Sequence, residues 1–178
     1  MSTIKVENLT GLSSGSNANK IIVPSGQTLH APGHILQTVN NTSQPTAIES
    51  INNNNVYVAT GVHATITPKS ATSKLLIMCD VHVDSATGTN CSLAIHKDGT
   101  LLAPHSAGTG GADYNGHAYF NRLSEGRLLL HQTVMASDAA VGSTSAITYK
   151  LYLKTHSGLI YLRHDLSCPR IFIWEMAA

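Results

Sequence analysis

The chain has 178 residues, of which 42% are hydrophobic and only 12% charged, with a formal net charge of +1. That length suits one domain able to bury a core without metal or disulfide staples, and charge at about half the usual ~25% leaves Ser, Thr, Asn and Gly to cover the surface. Near-neutrality offers no electrostatic footprint for a nucleic-acid backbone or an anionic membrane, and no apolar run approaches the ~20 residues of a membrane span, so neither partner is expected.

Residues 1–33 stand apart from the rest. The start, MSTIKVENLTG, lacks the apolar run of ~7–15 residues that a secretory signal needs. TIKVENLTGL is a short amphipathic strand candidate, SSGSNAN has linker chemistry, and KIIVPSGQTLHAPG carries two proline-centred turns. A segment this short cannot bury its own apolar residues. Ile4, Val6, Ile21, Ile22, Val23 and the adjoining Pro24 therefore need a neighbour, and the segment is expected to be a docking arm ahead of a folded domain at 34–178.

From residue 34 the apolar pattern has the period of two that a half-buried strand requires. HILQTVN and VYVATGVHATITP read as strands. In SKLLIMCDVHVDS, Leu75, Ile77, Cys79, Val81 and Val83 fall on one face, and Lys74, Met78, Asp80, His82 and Asp84 on the other, which is expected to be solvated. CSLAIHKDGTLLAP places Asp98-Gly99 between two apolar runs, a strong hairpin signal. HAYFNRL and GRLLLHQTVMA follow as strands. AITYKLYLKTHSGLIYLRH reads as a second hairpin turning at His156-Ser157-Gly158, with Tyr149, Leu151 and Leu153 opposing Lys150 and Lys154. The final RIFIWEM is apolar on both faces apart from Glu175, which places it centrally or at a subunit contact.

NTSQP, INNNN, SATGTN and SAGTGGADYNG read as turn-rich links, and no stretch holds apolar residues at helical spacing for three turns. Strand after strand without helices implies an all-β antiparallel sandwich, and about eight strands suggest a jelly roll. The expected core is Leu75, Ile77, Val81, Leu93, Ile95, Phe120, Leu129, Tyr149, Leu151, Leu153, Leu162, Ile171 and Ile173.

Chemistry is sparse. Cys79, Cys91 and Cys168 lack CxxC spacing and read as buried small hydrophobes, with neither a disulfide framework nor a zinc site. Asn8, Asn41 and Asn90 open N-x-S/T triplets that chance explains in a chain rich in these residues. Ten histidines invite a metal reading, but His30 and His34 flank APG, where no helix can bring an i, i+4 pair together. Asp80 and Asp84 lie about 13 Å apart along one strand, too far for the roughly 5–9.5 Å carboxylate pair of a glycosidase. No G-x-S-x-G elbow is present, and GTGGADYNG lacks the lysine and spacing of a phosphate loop. No enzyme activity, cofactor or metal is expected. The long link at 105–117 is the candidate recognition loop, with His105, Asp113, Tyr114, Asn115 and His117 offering carbohydrate- or protein-contact chemistry.

Two stretches carry a resemblance over roughly a third of the chain. STIKVENLTGLSSGSNANKIIVPSGQTLHAPGHILQTV resembles the leader of small virion proteins of tailed phages, particularly marine and cyanobacterial ones. GVHATITPKSATSKLLIMCDVHV looks like the body of the same proteins, which read T-I-T-P-x-S-x-x-S-K-I-L-V. The many histidines and the HDLSCPR turn depart from that pattern. The resemblance implies a repeated virion appendage, either tail-fibre-like or head-associated, located on the particle. It fits a homotrimer docked to other virion proteins through residues 1–33, with a host-surface glycan or protein as receptor. The alternatives are a head decoration or capsid fibre without a receptor role, and a surface-polysaccharide hydrolase built on Asp80, Asp84 and Asp113.

Overall fold

The computed structural model describes residues 14–15, 31–41, 48–52, 55–85, 90–102, 116–121, 128–156, 158–163 and 169–178. The docking-arm residues Ile4, Val6, Ile21, Ile22, Val23 and Pro24 lie outside the described residues, as do His105, Asp113, Tyr114, Asn115 and Cys168. The unit that holds the folded elements runs from Pro32 to Ala178.

Eleven strands and no helix make up the described chain. They are β1 (Ile35–Asn40), β2 (Glu49–Ile51), β3 (Val58–Ile66), β4 (Lys74–Ser85), β5 (Asn90–Lys97), β6 (Thr100–Leu101), β7 (Ala118–Asn121), β8 (Leu128–Asp138), β9 (Ile147–Thr155), β10 (Ile160–Leu162) and β11 (Arg170–Met176). Their pairing is nested: β1 with β11, β3 with β9, β4 with β8 and β5 with β7, all antiparallel. A long hairpin paired from its ends inward and then rolled up gives two facing sheets, β1-β11-β4-β8 and β3-β9-β5-β7. This is the jelly-roll solution, with eight principal strands and the short β2, β6 and β10 added to the sheets.

The core lies between the sheets, where alternate residues of each strand meet. Leu75, Ile77, Cys79, Val81 and Val83 of β4 are at most 1% exposed, as their period predicts. Beside them in the same sheet stand Ile171 and Ile173 of β11, and from the other sheet come Leu93 and Ile95 of β5 and Tyr149, Leu151 and Leu153 of β9, all fully buried. Each such aliphatic side chain contributes on the order of 1.5–3 kcal/mol. Leu129 does not join them: it pairs with Asp84 and is 48% exposed. On β8 it is Val134, Ala136 and Asp138 that point inward, so the odd-numbered Leu129 falls on the outer face. The side chain of Phe120 lies outside the described residues.

The Asp98-Gly99 hairpin forms as expected. Both residues have positive φ, 47° and 85°, as a type I′ turn demands, and β5 pairs with β6 across it. The second expected hairpin does not form. β9 belongs to one sheet, pairing with β3 and β5, whereas β10 belongs to the other, pairing with β4 and β2. Between Thr155 and Ile160 the chain therefore crosses from one sheet to the other, with Gly158 at φ 74°. Alternation reports which residues are buried, and both strands bury alternate residues whichever sheet they join.

Asn41 is buried, and its Oδ1 accepts the Ile171 amide while its own amide donates to the Ile171 carbonyl, closing the end of the β1–β11 ladder. Cys79 and Cys91 are buried free thiols, whose ionisation burial pushes far upward.

Candidate recognition platform

The outer face of the β3-β9-β5-β7 sheet should be wet, yet Ser92 and Ala94 of β5 are fully buried there and His96 is 6% exposed. Part of their cover is a set of rings. The His96 ring stacks on Tyr152 with centroids 3.7 Å apart and planes 10° from parallel. Tyr57, just before β3, meets His96 edge-on at 5.4 Å, and the Lys154 ammonium sits 5.0 Å from the Tyr57 ring centre. The Tyr57 hydroxyl is hydrogen-bonded to Ser92, and burial pushes its ionisation up to about 12. Nearby, Ser92 Oγ lies 3.2 Å from His156 Nε2, and Tyr119 packs edge-on against His156.

His117 completes the group from the far side of β5. β7 pairs with residues 90–93 of β5 and β6 with residues 96–97, which leaves a gap in the ladder between them. His117 fills it: its backbone amide donates to the Leu93 carbonyl, and its Nδ1 accepts the Ile95 amide at 3.1 Å. Gly116 lets the chain approach so closely, because a Cβ there would lie 2.8 Å from the Leu93 carbonyl oxygen and 3.0 Å from the Tyr57 hydroxyl.

These bonds fix two tautomers. A ring nitrogen that accepts an amide carries no proton, so neutral His117 holds its proton on Nε2. His96 Nδ1 faces the Gly99 carbonyl at 3.0 Å and must donate, so neutral His96 leaves Nε2 as an acceptor. Both Nε2 atoms are buried and without a hydrogen-bond partner among the described residues. Burial holds both imidazoles below their usual range, and the nearby His96 adds to the effect on His117. His117 Nε2 is thus left as a donor and His96 Nε2 as an acceptor, both enclosed by the groups around them.

The strand cluster expected on β4 divides. Asp80 is met by His131 Nε2 at 2.6 Å and by the Thr133 hydroxyl at 3.2 Å, while His82 stacks on His131 at 4.5 Å. Asp84 is not on a solvated face: it is 1% exposed and ion-paired with Arg163 at 2.9 Å. Of the recognition residues anticipated from the sequence, the structure places His117 on the platform. Tyr57, Ser92, His96, Tyr152 and Lys154 were not anticipated. The one signal for them was polar and aromatic residues at alternate positions of strands whose other face is apolar. Among the described residues no group of three or more His, Cys, Asp or Glu is placed to hold a metal ion, and no helix is long and apolar enough to cross a membrane.

Fold and site together define the class: an antiparallel jelly-roll sandwich with an aromatic and imidazole platform on one outer face. No family model matches the chain, and no curated protein does. Among solved structures it is similar to T=1 particles derived from infectious bursal virus, at 16% identity and a TM-score of 0.45 over 89% of this chain. It is also similar to infectious bursal disease virus Gx strain, at 11% identity and a TM-score of 0.40 over 93%. The chain spans 40% and 42% of the length of those two chains.

Proposed function

We propose that this protein is a non-enzymatic structural component of a phage particle, a short tail or baseplate appendage. In this reading residues 1–33 dock it to other virion proteins and a homotrimer displays the sandwich for host attachment. The observation that carries the attachment role is the platform: rings from four segments gathered on one outer face, an aromatic and imidazole surface of the kind that suits a hydroxyl-bearing ligand such as a glycan. The low charge content and the apolar phrase of the leader support an assembled, extracellular setting. The described carboxylates further support a structural role. Asp84 pairs with Arg163, Asp138 holds Lys97 and the Tyr149 hydroxyl, and Glu175 accepts from Gln37 and backbone amides.

The test compares particles carrying Tyr114→Ala with His117→Ala against particles encoding a deletion of residues 2–33. The loop changes are expected to leave incorporation intact and to lower adsorption at least about tenfold, a loss of ~1.4 kcal/mol per site. The deletion is expected to abolish incorporation. Normal incorporation of the loop variant with undiminished adsorption would favour the head-decoration alternative. Release of reducing ends from host polysaccharide would favour the hydrolase.

A further inference from the structure

The outer face of the β1-β11-β4-β8 sheet is unlike its counterpart. Register places its side chains in rows: Ile35, Met176 and Lys74, then Thr38, Trp174, Leu76 and Ser137, then Asn40, Phe172, Met78 and Met135. Ile35 and Met135 are 51% and 53% exposed. Leu76, Met78, Phe172, Trp174 and Met176 are half-buried, and the Phe172 and Trp174 rings stack at 5.9 Å. The next row is polar, Arg170, Asp80 and Thr133, followed by the His82–His131 stack. An apolar centre of aromatic and Met residues with a polar border is the anatomy of a protein interface, and Trp is the residue most enriched at its energetic centre.

We infer that this face packs against the same face of a second copy of the chain. Area is the first reason. β4 and β8 run side by side for about 40 Å, and β11 and β1 flank them over about 20–23 Å, giving roughly 570 Å2, near the ~600 Å2 per partner at the low end of a standard interface. Complementarity is the second. A twofold axis along the strands lays β1 over β8 and β11 over β4, row on row. Trp174 then meets Leu76 and Phe172 meets Met78. Met135 comes over the β1 end of its own row, where Asn40 lies beside Phe172. In the border row Arg170 of each copy faces Asp80 of the other, so the charges pair where a partner of one sign would leave half of them unmatched. A net charge of +1 sets up no repulsion between copies. This contact uses a sheet face, whereas a trimer closing over strand edges would use the edges, so it stands independently of the trimer in the proposed function.

Trp174 is the single tryptophan of the chain, which makes the face its own reporter. The experiment follows mass by light scattering and Trp174 emission on the full chain and on Met135→Glu, a change at an exposed position that leaves the core untouched. The wild type is expected at twice the mass of the variant, two chains against one or six against three, with blue-shifted emission that moves red on dilution. Met135→Glu is expected to raise the dissociation concentration at least about a hundredfold and to show red-shifted emission throughout. Equal masses for wild type and variant between about 1 and 100 μM would overturn the inference. So would Trp174 shielded equally in both proteins at every concentration, which would mean that the chain covers this face itself.

Discussion

Glu175 is fully buried on β11, and its described partners are neutral. Gln37 Nε2 donates to Oε2, and the Lys69 amide donates to Oε1 at 2.7 Å, with the Ser70 amide at a longer 3.3 Å. One carboxylate therefore ties β1 and the link between β3 and β4 to the strand that lies between β1 and β4. In Glu175→Ala two well-made donors, the Lys69 amide and the Gln37 amide, lose their acceptor at about 1–3 kcal/mol each. The weaker Ser70 contact adds little, so the loss is about 4 kcal/mol. Glu175→Gln keeps one acceptor oxygen for the Lys69 amide, but Gln37 must turn over and give up its bond to the Thr67 carbonyl, a loss of about 1–2 kcal/mol. For a chain of this size each kcal/mol moves Tm by ~2–4 °C, so Ala should fall roughly 8–16 °C and Gln about 2–8 °C. Urea unfolding at one fixed protein concentration, followed by Trp174 emission and far-ultraviolet dichroism, measures both. If Ala and Gln agree within ~0.5 kcal/mol, the backbone amides were not the burden and the reasoning is wrong.

Two further outcomes follow from the platform. Because His96 and His117 sit below their usual range when folded, the unfolded chain binds more protons between those depressed values and about 6.5. Stability from this source is complete above about 6.5 and is lost as pH falls through that window. The urea midpoint should drop between pH 7.5 and 5, and His96→Gln should make the drop shallower; an unchanged slope in the variant would refute the assignment. Gly116→Ala should cost about 1–3 kcal/mol through the close approach to the Leu93 carbonyl, and a thermal shift of under ~1 °C would show that the backbone yields there.

The fold was legible where local chemistry decides it. The two-residue period of 74–85 placed the inward face of β4, and Asp98-Gly99 placed a turn whose φ values few other pairs adopt. Partner choice was less legible. Nothing near His156 says that β10 crosses to the other sheet, since that is decided by β4 and β2, more than 70 residues away in the chain. Parity failed at Leu129 because three consecutive leucines give no phase; Val134 and Ala136 supply it further on. Asp84 read as solvated because its partner Arg163 comes from a distant segment. The platform was hidden for the same reason, its rings arriving from four separated stretches, and His117 was noticed for the loop it ends rather than for the ladder gap it fills.

The nesting of first strand with last also sets a timetable. β1 ends at Asn40, but its ladder partner β11 begins at Arg170, so on a ribosome working at ~5–20 residues per second it waits roughly 7–26 s for its neighbour. Until then one side of β4 along residues 74–80 also lacks β11. The sandwich can close only when the last strand inserts between two that were made long before, and the late arrival of residues 170–176 is the step at which a nascent chain commits to this fold.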